Sequence, residues 1–222
     1  KGFYKWVKTG YPWVITKVAQ SANRYMGLDN NSSYWITNDV SKKHTHKLRS
    51  KVDAVFVGKN TAKIDNPSLT VRLIDGKSPK RIIADTNRTL PQNLKLFNDD
   101  EAETIVLCSS SQFSNNETSH CKFIVIKEKN KLLDPENILI ELANIGITSV
   151  LLEGGPTIID SFYKEGLIDE IYQYTSADNI DGSDNMKNPI KIDDSWDYKD
   201  GVSLNGDDLK IFQKKEIECL VE

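Results

Sequence analysis

The sequence is short of the residues that would announce several common chemistries. It has three cysteines (Cys108, Cys121 and Cys219), with no C-x-x-C spacing. That pattern offers neither a disulfide scaffold nor a thiolate metal knuckle and fits a reducing cytosol, so a cytoplasmic location is expected. The three histidines are His44, His46 and His120. His44 and His46 lie two apart in a helical stretch and point to different faces, so no metal site is expected. No apolar run approaches the roughly 18–20 residues of a membrane helix. The net charge of −3 gives no basic field for nucleic acid. No G-x-G-x-x-G follows the first apolar run, which argues against an ordinary Rossmann dinucleotide site.

What is present is an alternation of short β-branched runs with amphipathic or well-capped stretches. Residues 13–19 (WVITKVA), 53–58 (DAVFVG), 81–84, 104–108, 123–126, 149–152, 168–175 and 209–216 read as strands. Residues 38–51 read as a polar helix capped by Asn38. Asp134-Pro135-Glu136 starts a second helix, and Pro156 opens a third that ends before Gly166. Residues 21–33, the turn-rich 60–72 and the Asp-rich 178–208 read as connections. The alternation predicts an α/β fold with a mostly parallel central sheet flanked by helices.

The most informative stretch is Leu151-Leu152-Glu153-Gly154-Gly155-Pro156-Thr157. A lone carboxylate ends an apolar strand, and two glycines lead into a helix N-terminus. Backbone N–H groups exposed at such a turn suit a phosphate or pyrophosphate. Elsewhere single residues stand out: Lys17 interrupts an apolar strand, Arg49 ends a helix, and Asp65-Asn66-Pro67 opens a polar turn that runs to Arg72. Each has an ordinary structural explanation: a snorkelling lysine, a dipole partner, turn chemistry.

Taken in order, the motifs are K-x-A-x-S from Lys17, S-x-W-I-T from Ser33, H-x-L-R from His46, D-A-x-x-V-G-x-x-T from Asp53, D-x-P-x-L-T-V-R from Asp65, and E-G-G-P-T from Glu153. This order resembles the pyrimidine reductase of riboflavin biosynthesis, the C-terminal half of a bifunctional deaminase–reductase. The resemblance runs from about Gly2 to Gly182. It implies a dihydrofolate-reductase-like fold and NADPH-dependent reduction of 5-amino-6-(5-phosphoribosylamino)uracil to the ribitylamino compound. It places the cofactor at Ala19, Trp35, Thr61, Asp65, Thr86, Gly154, Gly155, Pro156 and Thr157. It places the phosphorylated pyrimidine at Ser33, Arg49, Leu69, Arg72 and Glu153, with Lys17 beside the ribose. Lys17, Asp65 and Glu153 are the titratable candidates for catalysis. Arg88, two residues beyond Thr86, is a candidate for the cofactor 2′-phosphate.

The resemblance also implies a homodimer. It divides the chain into residues 1–12, a linker from a deaminase domain, and residues 13–222, the reductase. The zinc deaminase signature H-x-E with P-C-x-x-C is absent here. One departure stands out: the family continues S-x-D-G where this chain has Ser21-Ala22-Asn23-Arg24. The rival readings are a reductase of a pterin-type substrate on the same fold, or a non-catalytic domain that stabilises a fused deaminase.

Overall fold

The computed structural model describes residues 1–28, 35–109, 121–181 and 185–215. The elements in chain order are α1 (Gly2–Thr9), β1 (Trp13–Gln20), β2 (Tyr25–Leu28), α2 (Asp39–Arg49), β3 (Ala54–Gly58), α3 (Lys59–Asp65) and β4 (Lys80–Ala84). Next come α4 (Lys95–Asn98), β5 (Thr104–Ser109), β6 (Cys121–Ile126), β7 (Glu128–Lys129), β8 (Leu132–Leu133) and α5 (Pro135–Asn144). The chain continues with β9 (Ser149–Gly154), α6 (Pro156–Lys164), β10 (Glu170–Thr175), β11 (Asn185–Lys187), β12 (Trp196–Leu204) and β13 (Asp207–Lys214).

Nine strands form one sheet in the order β12-β13-β10-β1-β9-β3-β4-β5-β6. From β10 to β6 every neighbouring pair is parallel. β13 and β12 close one side as antiparallel strands. The central strands are apolar on both faces because helices cover both. On one face Val14, Val18, Phe56, Val150 and Leu152 pack with Leu139 and Leu142 of α5 and Ile159 and Phe162 of α6. On the other face Val55, Val57 and Ile83 pack with Ala62 of α3 and Leu96 of α4. Leu48 of α2 packs there against Leu151, Tyr174 and Leu209.

The local rules hold where the signals are strong. Asn38 caps α2 by accepting from the Val40 and Ser41 N–H groups. Asp134 caps α5 and Pro135 occupies its first turn, while Pro156 does the same for α6. Three expected connections are structured instead. Within 21–33, Tyr25–Leu28 pairs with β11. At the start of 60–72, the helix Lys59–Asp65 runs in from β3. Within 178–208, Trp196–Leu204 is the nine-residue edge strand β12, of which only Trp196 is buried. An edge strand wetted on both sides carries little hydrophobic alternation, so it reads as polar connection.

At the N-terminus, Gly2–Thr9 is a helix, tied down by a Lys5 Nζ–Asp169 ion pair of 2.6 Å. The Asn23-Arg24 departure lies in the turn between β1 and β2. Arg24 adopts φ 68°, the left-handed conformation that glycine takes without strain. Its carbonyl accepts from the Asn188 N–H, and its Nη2 donates to the Ile190 carbonyl at 3.0 Å.

Candidate active site

The parallel strands share a carboxyl edge, where open α/β sheets place their ligands. The sequence-predicted residues gather along it. Lys17 and Ala19 lie in the second half of β1; Glu153 and Gly154 end β9; Thr61 and Asp65 ride on α3, which leaves the end of β3; Thr86 and Arg88 follow β4. The lateral order of these strands is β1, β9, β3, β4. Arg49 ends α2, and Leu69 and Arg72 lie in the segment after α3. Ser33 lies outside the described residues.

Alternation decides which side chains meet. Ile15 and Leu151 pair in register and face the α2 side, so Lys17 and Glu153, two residues further on, face it too. There Glu153 is not the lone carboxylate that its sequence context suggests. It accepts from Arg49 Nε at 2.6 Å and from Arg49 Nη2 at 2.7 Å. The two side chains are only 10% and 8% exposed, a buried bidentate pair. Arg49 Nη1 donates to the Thr70 carbonyl at 3.1 Å. Arg49 and Arg72 therefore stand differently, the Arg49 fork being engaged by Glu153. Arg72 is the exposed cation of the two.

Burial alone would raise the Glu153 carboxyl, but the Arg49 charge and hydrogen bonds, with Lys17 and His46 nearby, hold it below the usual range. Lys17 does not snorkel free. It is half-buried with its ammonium 5.8 Å from the Tyr174 ring centroid. Burial pushes its amine down, against the pull of Glu153 and with the push of Arg49; Asp65 opposes the shift more weakly. A lysine of lowered basicity beside an ionised carboxylate is equipped to give or take a proton.

One site residue carried no signal of its own in the sequence. His46 lies one turn before Arg49 on α2 and is buried. Its Nδ1 accepts from the Arg72 N–H at 3.0 Å and more loosely from the Leu73 N–H at 3.5 Å. Burial, with the Arg49 and Arg72 charges, brings its pKa down to about 4. The ring is neutral, with its proton on Nε2. Only its place in the H-x-L-R motif pointed to it.

The glycine turn faces α3. Gly154 has φ 133° and is joined to Gly155 by a cis peptide bond. A Cβ at Gly155 would meet Thr61 Oγ1 at 3.1 Å, so the turn and the threonine hydroxyl bound one small cradle. Pro156 and Thr157 begin α6 directly after it; Pro156 has no N–H, so of these two residues only Thr157 brings a backbone donor to the helix N-terminus. Trp35 is not a core residue: it is 68% exposed, with Lys42 Nζ 4.5 Å from its ring centroid. Beyond β4, Arg88 stacks on Phe123, its guanidinium carbon 4.0 Å from the ring centroid. Among the described residues no cluster of three or more His, Cys, Asp or Glu is placed to hold a metal ion, and no helix is long and apolar enough to cross a membrane.

Known proteins resemble this chain. A riboflavin biosynthesis protein RibD of Aquifex aeolicus is 32% identical over 96% of this chain and 60% of its own length. A 2,5-diamino-6-ribosylamino-4(3H)-pyrimidinone 5′-phosphate reductase of the same organism is 33% identical over 66% of each chain. A solved deaminase/5-amino-6-(5-phosphoribosylamino)uracil reductase of Thermotoga maritima superposes with a TM-score of 0.82 at 24% identity, covering 96% of this chain and 60% of that one. This chain thus spans about 60% of the length of that RibD. The match to the RibD C-terminal domain runs over residues 12–177, from the start of β1 through β10 and the whole carboxyl edge, and the chain belongs to that family.

Proposed function

We propose that this chain catalyses the NADPH-dependent reduction of 5-amino-6-(5-phosphoribosylamino)uracil to its ribitylamino product, a step of riboflavin biosynthesis. The observation that carries this reading is the meeting, on one sheet edge, of a bare glycine cradle with a half-buried lysine and a buried Arg49–Glu153 pair. The reductase relatives named above support the reaction class. The cradle of Gly154, Gly155, Thr61 and the first turn of α6 suits a pyrophosphate, and Ala19, Trp35, Asp65 and Thr86 complete the cofactor surface. When bound, the cofactor supplies the hydride for the sugar C1.

The protein's own part is to bind, orient and move protons. Arg72, exposed on its loop, is the donor for the substrate phosphate, and the family resemblance adds Ser33 and Leu69 to the substrate contacts. Glu153, fixed and kept ionised by Arg49, steadies positive charge that develops at C1 when the ribose ring opens. Lys17, softened by burial, gives a proton to the ribose ring oxygen as the C1–O bond breaks, with Asp65 as the exposed alternative. Arg49 acts through Glu153 and is a positioning residue.

The test is NADPH oxidation, followed by absorbance, with freshly made deaminated substrate. The diaminopyrimidinone named for the Aquifex reductase is run beside it, because that relative is named for a substrate that has kept its amino group. Oxidation with the diaminopyrimidinone alone would overturn the proposed substrate, and oxidation with neither compound would overturn the reductase reading. We also propose a full-length protein with a deaminase domain joined through residues 1–12, acting as a cytosolic homodimer. The share of RibD length covered supports the fusion.

A further inference from the structure

The segment from Ser68 to Leu73 has no helix or strand of its own, yet its backbone is held almost residue by residue. The Ser68 carbonyl accepts from Arg81 Nη1 at 3.4 Å, and Leu69 is 2% exposed in a left-handed conformation, φ 54°. The Thr70 carbonyl accepts from Arg49 Nη1, the Val71 N–H donates to Ser78 Oγ at 3.0 Å, and the Arg72 N–H donates to His46 Nδ1. Two of these four hydrogen-bond partners, Arg49 and His46, come from one turn of α2. The first also holds Glu153; the second holds the residue whose side chain is left exposed.

We infer that His46 is a positioning residue for substrate binding: its Nδ1 fixes the Arg72 backbone, and so the place from which the Arg72 side chain meets the substrate phosphate. The inference rests on the proposed role of Arg72. An arginine side chain has several rotatable bonds, and an unfixed backbone beneath it adds more freedom to be lost on binding. A backbone N–H held by a buried ring removes that part in advance. The helix turn 46–49 then sets the spacing between the carboxylate that serves the ribose and the cation that serves the phosphate. A phosphoribosyl group presents those two features at a fixed separation. His46 touches neither, which separates its role from that of Lys17 or Glu153.

The experiment compares H46L, H46N and H46Q with R72A. An asparagine Oδ1 falls where the imidazole Nδ1 sits; a glutamine amide reaches the position of Nε2. H46L is expected to raise the substrate KM roughly tenfold. Its kcat at saturation and its NADPH KM should stay near wild type. H46N is expected to restore most of the loss, and H46Q is not. The R72A/H46L double variant should bind substrate no worse than R72A alone, because the ring acts through that arginine. An unchanged substrate KM in R72A would overturn the underlying role of Arg72. A raised KM in R72A with equal KM values for H46N and H46Q would overturn the positioning role alone. That amide comparison decides the matter even where H46L fails to fold.

Discussion

At the scale of single residues, Glu153 stands between two demands. It is buried, which disfavours its charge, and bidentately held by Arg49, which restores it. E153Q keeps the size and one acceptor but removes the charge. We expect NADPH affinity close to wild type and hydride transfer slowed by ~10²–10⁴. Half of a buried pair is also lost, so the melting temperature should fall, in line with a cost of about 3–5 kcal/mol for an uncompensated buried charge. Single-turnover kinetics beside a thermal melt separates the two effects. Wild-type turnover in E153Q would leave the residue as a structural partner of Arg49 and nothing more. His46 makes a second prediction, in pH. Its folded pKa of about 4 lies below the ordinary 6.5, because burial and the Arg49 and Arg72 charges oppose protonation, Glu153 only partly countering them. Between those values the unfolded chain holds the extra proton, so stability is fully present above 6.5 and declines as pH falls toward 4. H46N lacks this titration. Urea midpoints at about pH 7 and about pH 5 should therefore drop further in wild type than in H46N; equal drops would show that the ring takes no part in the acid loss.

At the scale of elements, α2 is the one that assembles the site, and its N-terminus is where it can be loosened. Asn38 caps the helix and also donates to the carbonyls of Leu204 and Asn205, tying α2 to the β12–β13 turn. Asp207 adds bonds to the Asn38 N–H and the Ser41 hydroxyl. N38A is expected to cost at least the ~1 kcal/mol of a lost cap. It should raise the substrate KM more than the NADPH KM, because Arg49 and His46 ride on this helix while the glycine cradle belongs to β9 and α6. Equal rises in both would mean that α2 does not set the substrate side. The same element shows what the sequence could and could not tell. Its cap and extent were readable from Asn38 and the polar run, as were α5 and α6 from their prolines and the parallel strands from their β-branched runs. The helix α3 was not, because among its residues only Ala62 is buried and no apolar stripe marks it. The edge strand β12 was hidden for a similar reason. Motif order brought Lys17, Arg72 and Glu153 to notice. The pairing of Arg49 with Glu153 spans 104 residues and leaves no local trace; it exists only once β9 and α2 are stacked. His46 carried no signal beyond its place in the H-x-L-R motif because its partner is a backbone N–H, which every residue but proline offers.

At the scale of the whole molecule, the parallel sheet sets how far a ligand must reach. Neighbouring strands lie ~4.8 Å apart, so the step from β1 across β9 and β3 to β4 covers about 14 Å. A dinucleotide laid along this edge would have its nicotinamide near Lys17 and Ala19, its pyrophosphate at the Gly154–Gly155 cradle, and its adenosine ribose near Thr86 and Arg88. The far end is where NADPH and NADH differ, by a 2′-phosphate. Arg88 is held there with φ 52° and its guanidinium stacked on Phe123, an arrangement that reduces the cost of ordering the side chain around an anion. A charge-assisted contact of this kind is worth ~1.5–3 kcal/mol, or about 10- to 150-fold in affinity. Binding to the folded chain alone adds stability by mass action, ~2.7 kcal/mol at a hundredfold excess over Kd. NADPH should therefore raise the melting temperature well above the rise given by NADH at equal concentration. R88A should bring the NADPH shift down toward the NADH value and leave the NADH shift unchanged, because NADH has no group there to lose. F123A should do the same to a smaller degree, since it removes the platform and leaves the charge. Equal shifts for the two cofactors in wild type would move the 2′-phosphate away from the β4 end. A fall in both shifts with R88A would make that arginine a support of the fold rather than a reader of the cofactor.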